Sequence, residues 1–334
     1  MPLSDPRFIA LESWLATILC TNHHLELISG DASFRRYFRV HTETGSYIAM
    51  DSPPELTPVQ PFIDLAAEYQ RQGLLAPQVI EQHLQQGFLL LSDLGDTQLL
   101  SCLDRTSCQK LYAQAIDLLL PIMGITSSNQ MALPLYDEQF VARELTIFTE
   151  WLLAEHLNLA LSASEQQMLD TTFALLTANA LEQPTAGMHR DYHSRNLMVQ
   201  SQQLAVIDFQ DAVIGPVTYD AVSLLRDCYS RCPDDVRELM MLRHYQLLVD
   251  NQYLSIDTSF AQYQRWFDLM GMQRHIKAAG IFCRLNYRDH KPAYMADIPM
   301  TLSYIIEVAA KYSELSAFGE WVEQKVLVNF EAQQ

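Results

Sequence analysis

The sequence predicts an α+β fold in two lobes, with a small lobe built on a β-sheet before a larger, mainly helical lobe. Short apolar segments separated by turn residues dominate the first 92 residues, which is typical of a β-meander. Beyond residue 97, apolar residues recur mostly at helical spacing. The length of 334 residues suits two domains or one bilobal unit. We therefore expect a first lobe over 1–92, a hinge at 93–96 and a second lobe over 97–334.

The elements of the small lobe follow from local patterns. Apolar residues at helical spacing predict an opening helix over 7–22. Two or three short strands follow, with turns at 29–31 and 44–46, until Pro53 and Pro54 stop the meander. The later elements of this lobe are a helix over 59–72 and a strand over 88–91.

The larger lobe is predicted to be helical except for one strand-rich island. That island covers 187–211 and holds two short strands, at 197–199 and 204–207. Helices are predicted over roughly 106–123, 137–158, 163–181, 218–230, 234–251, 257–270, 272–286 and 300–329. Ligands often bind between two lobes that are joined by a short hinge.

The charge balance excludes some classes of partner. Lys and Arg number 22 against 40 Asp and Glu, a net charge of −18. A chain this acidic repels phosphate backbones and anionic lipid, so we expect neither a nucleic acid nor a membrane as its partner. No apolar run approaches a membrane span, and six cysteines without a CxxC pair suit reduced thiols. We therefore expect a cytoplasmic protein, and the sequence leaves its oligomeric state open.

One group of residues in the island carries chemistry. The triplet His189-Arg190-Asp191 is followed by Asn196, five residues after the aspartate. Asp208 comes twelve residues later, at the end of an apolar strand. This order matches the catalytic loop of kinases and the metal-binding aspartate that follows it. The alternative is a polar loop with a buried histidine and an aspartate at the end of a strand. That alternative explains each residue by itself but not the order in which the residues occur.

Phosphoryl transfer gives each of these residues a role. Asp191 orients the acceptor hydroxyl and accepts its proton late in the transfer. Asn196 and Asp208 hold Mg²⁺, with Asp211 as a further metal candidate, and ATP is the phosphoryl donor. His189 braces the loop by hydrogen bonding and is not expected to act as a base.

Residues 187–227 resemble the aminoglycoside phosphotransferase family, whose loop usually reads H-G-D-x-H-x-x-N. His193 fits the second histidine of that pattern. Asp208 and Asp211 fit its I-D-[FW]-x-D-A segment, and Asp220 fits the aspartate beyond it. The resemblance implies a bilobal protein-kinase-like fold, with ATP and Mg²⁺ as cofactors.

Four stretches look more specifically like the anomeric amino-sugar kinases of bacterial cell-wall recycling: 29–40, 47–55, 87–96 and 208–220. This similarity implies an amino-sugar acceptor, N-acetylmuramate or N-acetylglucosamine, phosphorylated at its 1-hydroxyl. Two other functions stay open. An aminoglycoside or other amino-alcohol phosphotransferase of the same family would suit the acidic chain. A catalytically silent pseudokinase would suit the missing lysine described next.

The small lobe lacks the lysine with which kinases hold nucleotide phosphates, since no lysine occurs before Lys110. Either Mg²⁺ and backbone amides hold the phosphates, or an arginine replaces the lysine. Side chains alternate along a strand, so Arg36 shares the more apolar face with Phe38. We expect that face to close over the nucleotide, which makes Arg36 the first phosphate candidate and Arg35 the second. Arg39, on the other face, is expected to contribute little.

Three further residues are candidates for nucleotide binding. Ser33 and its neighbouring amides can cap a phosphate. Asp93 and Leu94 stand where kinases present backbone groups to adenine, although an aspartate there also forms turns.

The acceptor side has four candidate residues. Tyr192 lies beside the catalytic aspartate and can stack on a sugar ring, and His193 matches the family pattern. Arg284 and Arg288 stand one helical turn apart and can meet a lactyl carboxylate. The alternative for the two arginines is a set of surface ion pairs with Asp289 and its neighbours.

Overall fold

The computed structural model describes residues 5–28 and 34–333, and the chain divides into two compact units. The first unit comprises Met1–Gln98, Ser127–Met131 and Leu197–Gln210; the second comprises Leu99–Thr126, Ala132–Asn196 and Asp211–Gln334. The sequence places 197–210 in the helical lobe, but this segment belongs to the first unit because Met198 and Ala205 pack against Leu94. The hinge at 93–96 stays a prediction.

The first unit is built on a five-stranded antiparallel sheet with the strand order β1-β2-β3-β5-β4. Its elements up to residue 98 are α1 (Pro6–Leu19), β1 (His23–Ile28), β2 (Arg36–Thr42), β3 (Gly45–Asp51), α2 (Gln60–Arg71), β4 (Val79–His83) and β5 (Phe88–Ser92). The opening helix, the meander and the second helix that the sequence predicts are confirmed, with ends shifted by a few residues.

Helix α1 covers one face of this sheet. Leu11 and Leu15 of α1 are fully buried in a cluster with Phe38, Val40 and Leu90 of the sheet. Burial of each such side chain contributes roughly 1.5–3 kcal/mol. The apolar face of β2 therefore turns inward, as its pattern predicts. The expectation that this face closes over a nucleotide is not met, because α1 occupies it.

Beyond residue 98 the chain is mainly helical. The elements are α3 (Cys108–Asp117), α4 (Leu119–Met123), β6 (Ser127–Ser128), β7 (Met131–Ala132), α5 (Glu138–Ile147), α6 (Ala163–Glu182), β8 (Thr185–Met188), β9 (Leu197–Gln200), β10 (Gln203–Val206), β11 (Val213–Pro216), α7 (Tyr219–Leu225), α8 (Asp234–Asp250), α9 (Phe260–Tyr287), α10 (Ile298–Ala309), α11 (Ser316–Trp321) and α12 (Val328–Glu331). β8 pairs with β11, and β9 pairs with β10. Among the helices of residues 5–28 and 34–333, none is long and apolar enough to span a bilayer.

Helix α9 is the central helix of the second unit. The sequence predicts two helices here, with a break at Gly271, but the structure has one continuous helix. Glycine costs a helix interior about 1 kcal/mol, and here its small size gives room to a buried neighbouring side chain. A Cβ at Gly271 would lie only 3.0 Å from the Arg226 guanidinium. Most of α9 is buried, so the charged residues on its inner face are held inside the unit.

Candidate active site

The catalytic loop begins where β8 ends and is tied to the start of α7. The backbone N–H groups of His189 and Arg190 both donate to the Asp220 carboxylate, at 2.7 and 3.0 Å. Asp220 is buried in the first turn of α7. Burial raises the pKa of Asp220, and the two backbone hydrogen bonds oppose that rise. This carboxylate therefore fixes the direction in which the loop leaves the strand.

Arg190 occupies the position where the family pattern has glycine. Its φ of 76° lies in the left-handed region, which costs a non-glycine residue roughly 1–2 kcal/mol. The guanidinium lies 3.2 Å from the Asp211 carbonyl oxygen and 3.5 Å from the Glu144 carboxylate. It also stacks 4.7 Å above the Phe140 ring. These contacts offset the strain and hold a positive charge beside the catalytic aspartate.

Asp191 is an ionised group held by its own loop. Its backbone N–H donates to His189 Nδ1 at 3.2 Å, and His189 is fully buried, which fits the predicted bracing role. Burial acts to raise the pKa of Asp191, but the positive charges of Lys277 and Arg190 outweigh it and lower the pKa to about 2. Asp191 is therefore an anion at neutral pH, which a group that accepts a hydroxyl proton must be.

A cavity of about 90 Å³ lies beside Asp191 within the second unit. Its wall includes Asp191 and His193 from the loop and Arg274, Lys277 and Ile281 from α9. The spacing of three and four residues places the α9 side chains on one face of that helix. A group bound in this cavity lies next to the catalytic carboxylate and two buried cations.

Lys277 belongs to a buried polar network that the sequence patterns do not single out. Its Nζ lies 2.8 Å from Glu144 Oε1 and donates to the Tyr219 hydroxyl at 3.1 Å. Glu144 also accepts from the Tyr136 hydroxyl at 2.5 Å. Burial acts against the charged form of Glu144, but the charges of Lys277 and Arg190 lower its pKa. The signal in the sequence is the pair of cations Arg274 and Lys277, which stands between the apolar stretches 269–272 and 278–283.

Replacing Lys277 by glutamine is expected to move the acid limb of kcat to higher pH. The lysine lowers the pKa of Asp191, so without it that pKa rises toward its ordinary value and the carboxylate protonates at a higher pH. Titration of Asp191 should leave the wild-type kcat unchanged from about pH 6 down to about pH 4, whereas the kcat of the variant should fall across that range. A kcat profile over this range makes the measurement.

Two further variants make this result specific. Lys277→Arg keeps the charge and should restore the wild-type limb. Lys325→Gln removes a cation from a partly exposed pair with Glu165 and should leave the profile unchanged. If Lys277→Gln lowers kcat equally at every pH and leaves the acid limb in place, Lys277 does not set the pKa of Asp191.

The other loop residues differ in what they contact. His193 lines the cavity, and its Nδ1 has no hydrogen-bond partner among the described residues. Asn196 Nδ2 donates to the Asp191 carbonyl oxygen at 2.9 Å, which holds the amide in the loop. Tyr192 is fully buried, and its hydroxyl donates to the Ala115 carbonyl oxygen at 2.7 Å. The predicted stacking of Tyr192 on a sugar is wrong, because its ring belongs to the core.

Asp208 lies in the first unit, shortly after β10, with a φ of 64°. The next residue, Phe209, is fully buried and stacks on Phe62 and Tyr69 of α2, with ring centroids 5.1 and 4.6 Å apart. Gln210 Nε2 donates to Asp208 Oδ1 at 2.7 Å. The buried phenylalanine thus anchors the aspartate, whose left-handed backbone conformation is one that Asp adopts more readily than most residues.

The metal candidates have the right donor chemistry for Mg²⁺. Asn196 and Asp208 present amide and carboxylate oxygens, which are the hard ligands that Mg²⁺ prefers. Asp211 is exposed, and its carbonyl oxygen accepts from Arg190. Within residues 5–28 and 34–333, no three side chains of His, Cys, Asp or Glu group closely enough to hold a metal unaided. The metal roles of these three residues stay predictions.

The strand arginines are engaged in ion pairs. Arg36 donates to Asp51 through Nε at 2.9 Å and through a second nitrogen at 2.5 Å, and it also contacts Asp5 at the start of α1. Arg39, on the opposite face, pairs with Asp93 at 2.7 Å and with Asp96 at 2.6 Å. Arg36 therefore fastens α1 to the sheet, and its first place among the phosphate candidates is not supported.

Arg36→Ala is expected to destabilise the protein by roughly 1–3 kcal/mol, because it removes hydrogen-bond donors from the buried Asp51 carboxylate. Asp51 is fully buried and would keep only Arg7 as a charged partner among the described residues. The free energy of unfolding in urea measures the effect, with the exposed Arg105→Ala as control. Unchanged stability together with a several-fold higher KM for ATP would restore the phosphate role.

The other nucleotide candidates stay predictions. Ser33 lies outside the described residues, and Arg35 is partly buried. Asp93 pairs with Arg39, and it accepts from the Gly95 N–H at 2.9 Å, so its side chain shapes a turn. Leu94 is buried in the apolar cluster around β10. Only the backbone of these two residues is left to contact adenine.

The two arginines predicted to meet a substrate carboxylate follow the part of α9 that lines the cavity, which runs from Arg274 to Phe282. Arg288 is exposed and pairs with the adjacent Asp289 through two hydrogen bonds of 2.9 Å. The surface ion pair, which was the alternative for Arg288, is confirmed. Arg284 does not line the cavity, and its substrate role stays a prediction.

Comparison with known proteins supports the identification of the kinase-type loop and of the fold. A family model described as the phosphotransferase enzyme family matches residues 24–253. An N-acetylmuramate/N-acetylglucosamine kinase of Pseudomonas aeruginosa is 38% identical over 95% of this chain and 96% of its own length. A protein of the same name from Neisseria meningitidis is 35% identical over 93% of each chain.

A solved structure extends the comparison to the fold. The aminoglycoside phosphotransferase APH(2'')-Ib with bound ADP has a TM-score of 0.60 and 14% sequence identity, over 92% of this chain and 98% of its own. At that identity the likeness shows a protein-kinase-like fold and nothing finer. The family match and the two curated relatives show more, because they cover most of the chain. This protein therefore belongs to the phosphotransferase enzyme family and is a kinase.

Proposed function

We propose that this protein transfers the γ-phosphoryl group of ATP to the anomeric hydroxyl of N-acetylmuramate and N-acetylglucosamine. The names of the relatives that match more than nine-tenths of the chain support this acceptor. The observation that carries the proposal is the ionised Asp191 at the wall of a cavity that Arg274 and Lys277 also line. This arrangement suits a hydroxyl acceptor that also carries oxygen-rich or anionic groups.

In this proposal Asp191 receives the acceptor. Its carboxylate accepts a hydrogen bond from the anomeric hydroxyl and directs that oxygen at the γ-phosphorus. The new O–P bond forms while the bond from the γ-phosphorus to the bridging oxygen breaks, which releases ADP, and the hydroxyl proton passes to Asp191. A carboxylate with a pKa of about 2 is a weak base, so the proton moves late. Most of the rate gain then comes from positioning.

We assign Mg²⁺ to Asn196 and Asp208, on the order and spacing of the motif and on their oxygen donors. When bound, the metal supplies positive charge to the nucleotide phosphates. The ion pairs of Arg36 leave Mg²⁺, backbone amides and Arg35 as the means of holding the phosphates in a lobe without lysine. Because the donor is ATP, we place the reaction in the cytoplasm, where it would serve the recycling of cell-wall sugars.

A panel of acceptors tests the proposal. The purified protein, with ATP and Mg²⁺, is assayed for ADP release with N-acetylmuramate, N-acetylglucosamine, kanamycin and choline. We expect kcat/KM to be highest for the two amino sugars, because a polycation such as kanamycin would meet Arg274 and Lys277 in the cavity. Preference for kanamycin or choline points to the other acceptor class of the family. ADP release with none of the four supports a silent nucleotide-binding protein.

A further inference from the structure

Arg274 is a buried cation without a carboxylate partner. Its side chain is 9% exposed, it lines the cavity beside Asp191, and no carboxylate of the described residues pairs with it. The guanidinium stacks 4.9 Å above the Tyr219 ring. Its Nε has no hydrogen-bond partner in the described part of the chain. Stacking offsets only part of the cost of burying this charge.

The neighbouring cations differ from Arg274 in this respect. Lys277 and Arg190 both pair with Glu144, and Arg226 pairs with Asp268. Each of these side chains is compensated within the protein, as buried charges usually are. Arg274 alone among these four cations faces the cavity without such a partner.

The other carboxylates near the cavity are already engaged by neutral donors. Asp220 accepts from two backbone N–H groups of the catalytic loop. Asp227 accepts from the Ser194 N–H at 2.9 Å and from the Tyr229 N–H at 3.0 Å. Asp191 and Asp220 act on the charge of Arg274 without forming an ion pair with it, so an anion in direct contact with Arg274 would have to enter the cavity.

A second donor in the same cavity supports an incoming oxygen ligand. Asn196 Nδ2 lies 3.4 Å from His193 Nε2, so when it donates to this nitrogen the ring proton sits on Nδ1. That Nδ1 has no partner among the described residues. His193 and Arg274 thus each present a buried nitrogen with no hydrogen-bond partner in one cavity wall.

We infer that Arg274 forms the carboxylate-binding subsite of the acceptor pocket and takes the lactyl carboxylate of N-acetylmuramate. The inference rests on the proposed function and names the residue that recognises the acid. A guanidinium binds a carboxylate through paired hydrogen bonds, and the bond is strong where water is excluded. The cavity of about 90 Å³ holds a few groups of water size, which is room for a carboxylate next to Asp191.

The subsite predicts a preference that depends on one side chain. Three acceptors separate it from a general effect: N-acetylmuramate, its lactyl carboxamide, and N-acetylglucosamine, which lacks the lactyl group. The wild type should prefer the acid to the carboxamide by about tenfold or more in kcat/KM, and Arg274→Met should reduce that preference to about threefold or less. The variant should lose less kcat/KM on N-acetylglucosamine than on N-acetylmuramate, and its circular-dichroism spectrum and thermal unfolding midpoint should match those of the wild type, which shows that it folds.

Matched variants complete the test. Arg274→Lys keeps the charge but not the planar fork, and should recover part of the preference. Arg265→Met alters an ion pair of the same helix with Glu314 and should change nothing. An equal loss of kcat/KM on all three acceptors would mean that Arg274 acts on the transferred phosphate or on Asp191. That result overturns the subsite. An unaltered acid preference, or its loss in Arg284→Met instead, overturns it as well.

Calorimetric binding of N-acetylmuramate separates this inference from the proposed function. If the wild type phosphorylates neither sugar, the proposed function fails. Binding of N-acetylmuramate that the Arg274→Met variant lacks would still uphold the subsite. Equal binding by both proteins, or no binding by the wild type, overturns the subsite whatever the outcome for catalysis.

Discussion

Asp191→Asn is expected to lower kcat by two or more orders of magnitude, or about 3 kcal/mol of transition-state stabilisation. The amide keeps the size of the side chain but loses the charge that directs the acceptor hydroxyl and takes its proton. Nucleotide affinity should stay near that of the wild type, because in the proposed mechanism Asp191 contacts the acceptor and not the nucleotide. Steady-state kinetics for the sugar and equilibrium binding of ATP measure the two effects.

The exposed Asp235→Asn, in the first turn of α8, serves as the control and should behave as wild type. If Asp191→Asn keeps most of its turnover, Asp191 is not the residue that handles the hydroxyl. Loss of ATP affinity together with kcat would instead place Asp191 on the nucleotide side.

Asp208→Ala is expected to abolish Mg²⁺-dependent ATP binding and activity together. In the proposed mechanism this substitution removes an anionic oxygen ligand of Mg²⁺, and with it charge that would favour binding of the metal with the nucleotide. ATP affinity measured with and without Mg²⁺ should become the same in the variant. Phe209 remains to stack on α2, so the fold around the site should persist.

Asp170→Ala, on an exposed face of α6, provides the comparison and should keep the Mg²⁺ dependence. An unchanged Mg²⁺-dependent affinity in Asp208→Ala means that this aspartate only shapes the turn after β10. Its hydrogen bond from Gln210 would then be its main role.

Much of the first unit can be predicted from sequence because its signals are local. Alternating apolar residues and turn residues set β2 and β3, and helical spacing sets α1 and α2. The catalytic loop can be recognised in the sequence because phosphoryl transfer requires its residue types at fixed spacing. The predicted break at Gly271 is wrong, because that glycine packs against Arg226, which directly follows α7 and lies far from Gly271 in the sequence.

The parts of the site that escaped prediction depend on tertiary packing. The alternation of β2 correctly places Arg36 with the apolar residues, but only the fold shows that α1 covers this face and that Asp51 pairs there. Tyr192 has an aromatic ring of the kind that can stack on a sugar, yet this ring is buried in the core. Lys277 lowers the pKa of Asp191 and Arg274 lines the same cavity, but both stand on α9, far along the chain from the loop, so no local pattern connects them to Asp191.

The most direct measurement is ³¹P NMR of the product formed from ATP and N-acetylmuramate by the wild-type protein. We expect one new phosphomonoester signal, split by the anomeric proton, in an amount equal to the ADP released. A signal coupled to the protons at carbon 6, or ADP with inorganic phosphate and no sugar phosphate, contradicts transfer to the anomeric hydroxyl.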